Sequence, residues 1–293
     1  MVKKGILYVD NELDVLAYYA KTAVALKNFL KDKKIATKVH LPNFFFLKRG
    51  SNTKPLFIND FYSVDNKMLL LRKNHLKDIR DKLNEKQELI WEYFPPRKFV
   101  QFYYATNDEG VGKPIDRIFI DIDRRKHTTD EARVVALNLV DFIKNDREFN
   151  KLLKYKIVIL WTGASFHVYL LLKKKIDLKF YNKYLSYGSS QVKSESFIMK
   201  WAFLIEKNSG IACHAGHEKS DKFIILDSSN TPSGKLARSP FSLHIKDYKN
   251  WDGVCVPVSE RELNDNKLVG RLKKLTPDDV LKDLNKYERL LKD

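Results

Sequence analysis

Cysteine is almost missing from this chain of 293 residues: Cys213 and Cys255 are the whole complement. Two thiols cannot build a disulfide framework or a cysteine-rich zinc site, and they fit a reducing, cytoplasmic setting. Long apolar runs are missing too. None approaches the roughly 20 residues needed to cross a bilayer, so no membrane partner is expected. The opening Met1–Leu7 stretch soon meets Asp10, Glu12 and Asp14, unlike a secretory signal. Neither an internal repeat nor a low-complexity tract is visible. Acidic residues are in deficit, 37 Asp and Glu against 54 Lys and Arg, for a formal net charge of +17. That surplus favours polyanionic partners, nucleic acid first, because neutralised phosphates release counterions and the summed field attracts them. A lysine-rich surface without such a partner is the bland alternative. With 44% hydrophobic and 12% aromatic residues, the chain reads as globular and long enough for one large domain or two modest ones.

Helix-period and strand-period stretches alternate, which gives a mixed α/β pattern of the α+β kind. Residues 5–9 read as a strand, Asn11 as the cap of a helix reaching about Leu30, and Phe44–Leu47 as a buried strand. A second helix is expected over Asn74–Phe94, carrying Leu76, Ile79, Leu83 and Ile90 and stopped by Pro95 and Pro96. These make an N-terminal lobe, 1–98. In the central region, 99–262, a strand over Phe99–Ala105 has Tyr103 and Tyr104 as buried aromatics rather than base-stacking ones. Thr128-Thr129-Asp130-Glu131 is a capping box for the helix that follows. Tyr155–Trp161 is a buried strand that turns at Thr162-Gly163-Ala164 and returns over Ser165–Leu172. A helix over Ser194–Glu206 precedes the strand Phe223–Leu226, which ends in Asp227. The tail, 263–293, is helical, with Thr276 as cap and Pro277 at the first helical position.

The chemistry centres on Ile118-Phe119-Ile120-Asp121-Ile122-Asp123. On a strand the three isoleucines share one face, and Phe119, Asp121 and Asp123 share the other. Two carboxylates side by side repel unless a cation lies between them or one holds a proton; a solvated strand end is the bland reading. A third carboxylate at Asp227 completes the three that a pair of magnesium or manganese ions needs, since hard cations prefer oxygen ligands, and Ser165 and His167 share one face of the returning strand. Arg238, with His167 and His244, complements it as a grip for a triphosphate.

The order of these residues resembles the archaeo-eukaryotic primase superfamily, in particular the small catalytic subunit of archaeal DNA primase and plasmid primase-polymerases. The paired aspartates Asp121 and Asp123 match the first motif, Gly163-Ala164-Ser165-Phe166-His167 the second, and Ile224-Ile225-Leu226-Asp227 the third. Arg238, Pro240, Ser242, His244 and Lys246 match a downstream segment. The resemblance spans about residues 99–250. It implies an RNA-recognition-like palm on an N-terminal α/β unit and a nucleotidyltransferase that makes or extends primers during DNA replication. Asp121, Asp123 and Asp227 would hold two Mg²⁺ or Mn²⁺ ions. Ser165, His167, Arg238 and His244 would hold the nucleotide, with Ser242 and Lys235 as weaker candidates. One ion would ionise a 3′-hydroxyl for in-line attack on the α-phosphate, and the other would neutralise the departing pyrophosphate. Implied partners are single-stranded DNA template, nucleoside triphosphates and a primase large subunit or replicative helicase. Two departures stand out: Thr162 where serine is usual, and Phe241 where glycine is usual. Cys213, His214 and His217 are the nearest approach to a zinc knuckle and read rather as a surface loop, so zinc is not expected. The competing readings are an end-joining polymerase domain, a magnesium-dependent nuclease and a non-catalytic basic protein that binds single strands.

Overall fold

The structure is a computed structural model that describes residues 8–9, 12–187, 196–246, 248 and 250–292, with side chains from residue 14 onward. The expected cap Asn11, residues 5–7 and Ser194 lie outside the described residues. The chain divides into two compact units. The first comprises Met1–Ala105, Arg238–Cys255 and Leu275–Lys292; the second comprises Thr106–Ala237 and Val256–Lys274, with Asp293.

In the first unit β1 (Tyr8–Val9) pairs with β2 (Glu12–Leu13), and α1 (Val15–Leu26) follows. Asp14 caps α1 by accepting from the amides of Leu16 and Ala17, so the helix starts later and ends earlier than its apolar spacing predicts. The same carboxylate accepts from Arg72 Nε at 2.5 Å, and Arg72 donates a further hydrogen bond to the carbonyl of Phe94. Both partners are buried. In the unit's sheet β3 (Ile35–His40) runs antiparallel between β4 (Phe45–Arg49) and β5 (Val100–Ala105). Tyr19, wholly buried, joins α1 to this sheet by donating to the Val100 carbonyl and accepting from the Leu243 amide.

Two expectations fail here. The phenylalanine run is a strand, but an exposed one at a sheet edge: Phe44 and Phe45 are 63% and 56% exposed. The stretch 74–94 is broken. After α2 (Asn66–Leu71) come two single 3₁₀ turns, and α3 covers only Glu85–Tyr93. Leu83 is extended (φ −108°, ψ 142°), and Asn84 then forms a capping box with Gln87, so the chain restarts a helix where the apolar spacing predicts a continuous one.

The second unit is a six-stranded sheet covered by helices. In chain order it contributes β6 (Ile115–Asp123), α4 (Thr129–Asn145), α5 (Arg147–Leu152), β7 (Tyr155–Trp161), β8 (Phe166–Ile176), α6 (Leu178–Tyr184), α7 (Phe197–Ser209), β9 (Cys213–Ala215) and β10 (Ile224–Asp227). Thr128 caps α4 through the box expected from sequence. Gly163 makes the β7–β8 turn at φ 95°, a conformation that favours glycine. Gly210, also left-handed, ends α7.

Past β11 (Leu236–Arg238), β12 (Leu243–Ile245) pairs with β13 (Trp251–Val254) in the first unit. The strand β14 (Val256–Val258) then joins the second sheet beside β7, giving the order β14-β7-β8-β6-β10-β9. Helices α8 (Glu260–Leu263) and α9 (Leu268–Leu272) pack on α4. The tail ends in α10 (Pro277–Lys282), capped by Thr276, and α11 (Leu284–Lys292), both against α1. Among the described residues no helix is long and apolar enough to cross a membrane.

Phe241 shows what the missing glycine does. Its φ is +66°, a left-handed conformation that costs a non-glycine residue about 1–2 kcal/mol. Its buried ring lies 6.2 Å from that of Tyr287. Removing a buried phenylalanine ring costs about 3–5 kcal/mol, which exceeds the strain relieved. Phe241→Gly is therefore expected to lower stability by roughly 2 kcal/mol, measured by urea unfolding.

Candidate active site

The period of two on β6 gives the expected faces: Ile118, Ile120 and Ile122 are fully buried, while Asp121 and Asp123 are partly exposed. Register then supplies what spacing could not. On one side of β6, Asp227 of β10 stands directly opposite Asp121; on the other, His167 of β8 does. Directly paired residues of an antiparallel ladder project to the same face. Three carboxylates and one imidazole therefore share a face of the second unit's sheet.

Each side chain has partners. His167 Nε2 lies 3.2 Å from Asp121 Oδ1, its ring packs edge-on against Phe119 at 4.8 Å, and its Nδ1 is buried with no hydrogen-bond partner among the described residues. Asp227 Oδ1 accepts from Tyr187 O–H at 2.5 Å and from the Ser229 amide at 2.7 Å. Burial, and the hydrogen bond it donates to Asp227, push the Tyr187 hydroxyl well above its ordinary range, so it stays a donor. Asp123 Oδ1 accepts from the Arg125 amide at 3.3 Å. Burial, followed by the neighbouring Asp121 charge, raises its carboxyl, with Arg125 and Lys219 opposing.

The site is braced from behind. Thr231 spans the middle of β6, accepting from the Phe119 amide and donating to the Phe119 carbonyl. Asn107 accepts from the amides of Asp116 and Arg117 and donates to the carbonyls of Arg117 and Thr231. Arg124, directly after the aspartates, donates to the carbonyls of Ala164 and His127, tying the strand end to the hairpin turn. Sequence reasoning missed Tyr187, Thr231 and Asn107. The only local hint was the polar composition of the segments around Asn107 and Thr231.

Other predicted residues occupy quieter positions. The Ser165 hydroxyl donates a short hydrogen bond to the Ile122 carbonyl, and Lys235 is an exposed residue after the left-handed Gly234. Cys213 and His214 are neighbours on β9 and so face opposite ways; burial pushes the Cys213 thiol up to about 12, away from the thiolate a zinc site needs. They stand in a strand rather than in the expected surface loop.

Arg238, Ser242 and His244 belong to the first unit. Ser242 is fully buried and accepts from the Phe102 amide. His244 Nδ1–H donates to Asp252 Oδ1 at 2.5 Å, and Lys246 meets the other carboxylate oxygen at 2.7 Å. Burial, and then the Arg238 charge, lower the His244 imidazole, with Asp252 opposing.

Whether the aspartates suit a divalent cation is decided by donor chemistry and register. The set is all carboxylate oxygen, its members lie on adjacent strands of one face, and the burial and the neighbouring Asp121 charge that raise Asp123 are what a cation would offset. The side chains as they stand turn to His167, Tyr187 and Ser229. Among the described residues no group of three or more His, Cys, Asp or Glu is drawn together as a closed metal cage. The fit is thus one of backbone position and ligand type, with short side-chain rotations left to complete it.

No family model matches the chain, and no curated protein matches it either. Among solved structures, it is similar to the polymerase domain of ligase D from Mycobacterium tuberculosis, a structure determined in complex with DNA. The TM-score is 0.58 at 14% identity, over 96% of this chain and 92% of that one. The fold is like that of this polymerase domain. At this identity the likeness speaks for the fold alone. The coverage takes in nearly the whole chain, both units among it.

Proposed function

We propose that this chain is a divalent-metal-dependent nucleotidyltransferase that makes or extends strands on a single-stranded template. The observation that carries the reading is the pairing of Asp227 and His167 with Asp121 from opposite sides of one strand, with Asp123 two residues on. A primase-type fold and the charge of +17 support it.

In this reading Asp121, Asp123 and Asp227 hold two Mg²⁺ or Mn²⁺ ions. When bound, the ions supply neutralisation of phosphate charge and favour ionisation of the attacking 3′-hydroxyl. The chain's own groups do the rest. Asp121 is oriented by His167, whose ring is fixed by Phe119. Thr231 and Asn107 brace β6, so the backbone positions from which the carboxylates reach the ions are fixed. Arg238 and His244 grip the triphosphate, with Lys235 assisting, while Ser165 fixes the backbone of Ile122 between Asp121 and Asp123 and Ser242 that of Phe102. Because burial and Arg238 hold His244 neutral near pH 7, its grip on phosphate needs a proton taken up on binding. Nucleotide affinity is expected to fall as pH rises, beginning below the ordinary histidine value because the free imidazole is lowered, read from KM as a function of pH.

The deciding assay supplies a primed single-stranded template, nucleoside triphosphates and Mg²⁺ or Mn²⁺. The wild type should add nucleotides complementary to the template, and Asp121→Ala should not. No synthesis by either protein defeats the proposal. Template degradation that depends on Asp121 selects hydrolysis instead. The ligase-associated neighbour favours one subsidiary reading, an end-joining polymerase, for which gapped ends would be extended better than continuous template.

A further inference from the structure

Asp227 is held by uncharged donors, unlike the buried carboxylates that brace the fold. Asp14 and Asp146 are helix caps, and each is paired with a cation, Arg72 Nε at 2.5 Å and Lys200 Nζ at 3.1 Å. Asp227 has no ion-pair partner among the described residues. Its Oδ1 accepts from the Tyr187 hydroxyl and the Ser229 amide, and its Oδ2 takes part in no hydrogen bond among the described residues. The difference matters because Asp227 stands directly opposite Asp121 on one face. Like charges so placed repel, and a carboxylate held by nothing would turn away. A lysine or arginine beside Asp227 would hold it but cancel the charge that attracts a divalent ion. A hydroxyl and an amide hold it and leave that charge in place.

The Tyr187 hydroxyl is itself placed from two directions, all within the second unit. The end of α6 is fastened to the turn after β10: Tyr181 O–H donates to the Ser228 carbonyl at 3.2 Å, and the buried Ser228 hydroxyl donates to the Leu185 carbonyl at 2.9 Å. Tyr187 follows two residues past this attachment. Its ring stacks on the His217 imidazole, with centroids 5.8 Å apart and planes 24° apart. In sequence His217 belongs to the nearest approach to a zinc knuckle; in the structure its ring supports Tyr187.

We propose that Tyr187 is a positioning residue for the metal centre, with His217 supporting its ring: together they fix the Asp227 carboxylate by Oδ1 and leave Oδ2 for a divalent cation. The inference deepens the reading above and rests on it, since it takes Asp227 as a metal ligand. Tyr187 acts through Asp227 alone. The Ser229 amide cannot replace it, because it lies two residues from Asp227 and moves with the same turn, whereas Tyr187 arrives from 40 positions away and anchors the carboxylate to a separate segment.

The test is Mn²⁺ binding by the full chain, followed by electron paramagnetic resonance without nucleotide or template, so that it does not depend on turnover. Tyr187→Phe keeps the ring and removes the orienting hydrogen bond. It should weaken manganese binding about tenfold while keeping the circular dichroism of wild type. His217→Ala should weaken binding in the same direction, and His217→Phe, which keeps a flat ring and cannot ligate a metal, should restore it. Tyr155→Phe removes a hydroxyl of the same unit that donates to the Ile143 carbonyl, and should leave manganese affinity unchanged. The inference is overturned if the wild type binds manganese and Tyr187→Phe binds it equally well or better, an outcome that leaves the metal centre standing. It is overturned too if Tyr155→Phe loses as much affinity as Tyr187→Phe, since general loosening would then account for both. Equal losses in His217→Phe and His217→Ala would make the imidazole a ligand and end its assignment as a support. A wild type that binds no manganese removes the metal centre itself, and the role of Tyr187 with it.

Discussion

Asp123→Asn is expected to lose nucleotidyl transfer by roughly 10³-fold, the scale attached to removing preorganised charge from a transition state, and at the same time to gain thermal stability at neutral pH. The two effects have one cause. Burial and the neighbouring Asp121 charge raise the Asp123 carboxyl. A carboxyl raised in the folded state contributes stability that is fully present below its unfolded pKa and is lost as pH rises through the folded value. At pH 7 the carboxylate is therefore ionised at a cost to the fold. The amide removes that cost yet still accepts from the Arg125 amide. Melting curves should show the variant above wild type at pH 7 and the gap closing below the ordinary carboxylate range. Added Mn²⁺ should raise the wild-type melting temperature and leave Asp123→Asn nearly unmoved. A variant less stable than wild type at every pH would mean that Asp123 is a structural carboxylate.

Arg72→Ala should be the most destabilising single change in the first unit, at about 3–5 kcal/mol, because it leaves a buried carboxylate without its partner. Asp14 is 6% exposed and Arg72 1% exposed. Arg72 also supplies the hydrogen bond to the Phe94 carbonyl and lies 5.2 Å over the Trp91 ring, so one side chain joins α1, α2 and α3. Burial lowers the guanidinium and Asp14 opposes that shift without cancelling it, as expected of a buried pair. The control is the double variant Asp14→Ser with Arg72→Met. Serine keeps the cap of α1 and methionine fills the space, so urea unfolding should recover most of the loss. Equal losses in the single and double variants would show that packing rather than charge sets the value.

The parts of this molecule that were legible in sequence are those fixed within a few residues. The faces of β6, the capping box at Thr128, the cap at Thr276 and the turn at Gly163 all follow from local spacing or φ preference, and all are present. The phenylalanine standing at 241 where glycine is usual was also visible, and the positive φ there gives it a physical meaning. What could not be read is pairing at long range. Nothing local says that Asp227 and His167 meet Asp121 from opposite sides, or that Tyr187 reaches Asp227 across 40 positions. The phenylalanine run misled because hydrophobicity alone does not distinguish a central strand from an edge. The 74–94 stretch misled because its apolar spacing outweighed the capping box at Asn84 and Gln87, which was there to be read.

Manganese binding followed by electron paramagnetic resonance tests the central claim, that the shared face of β6, β8 and β10 is a divalent-metal centre. In the presence of a nucleoside triphosphate, the wild type is expected to bind about two ions per chain. Asp121→Asn and Asp227→Asn should each lose that binding while keeping the wild-type fold by circular dichroism. Manganese binding that is unchanged in both variants would contradict the account.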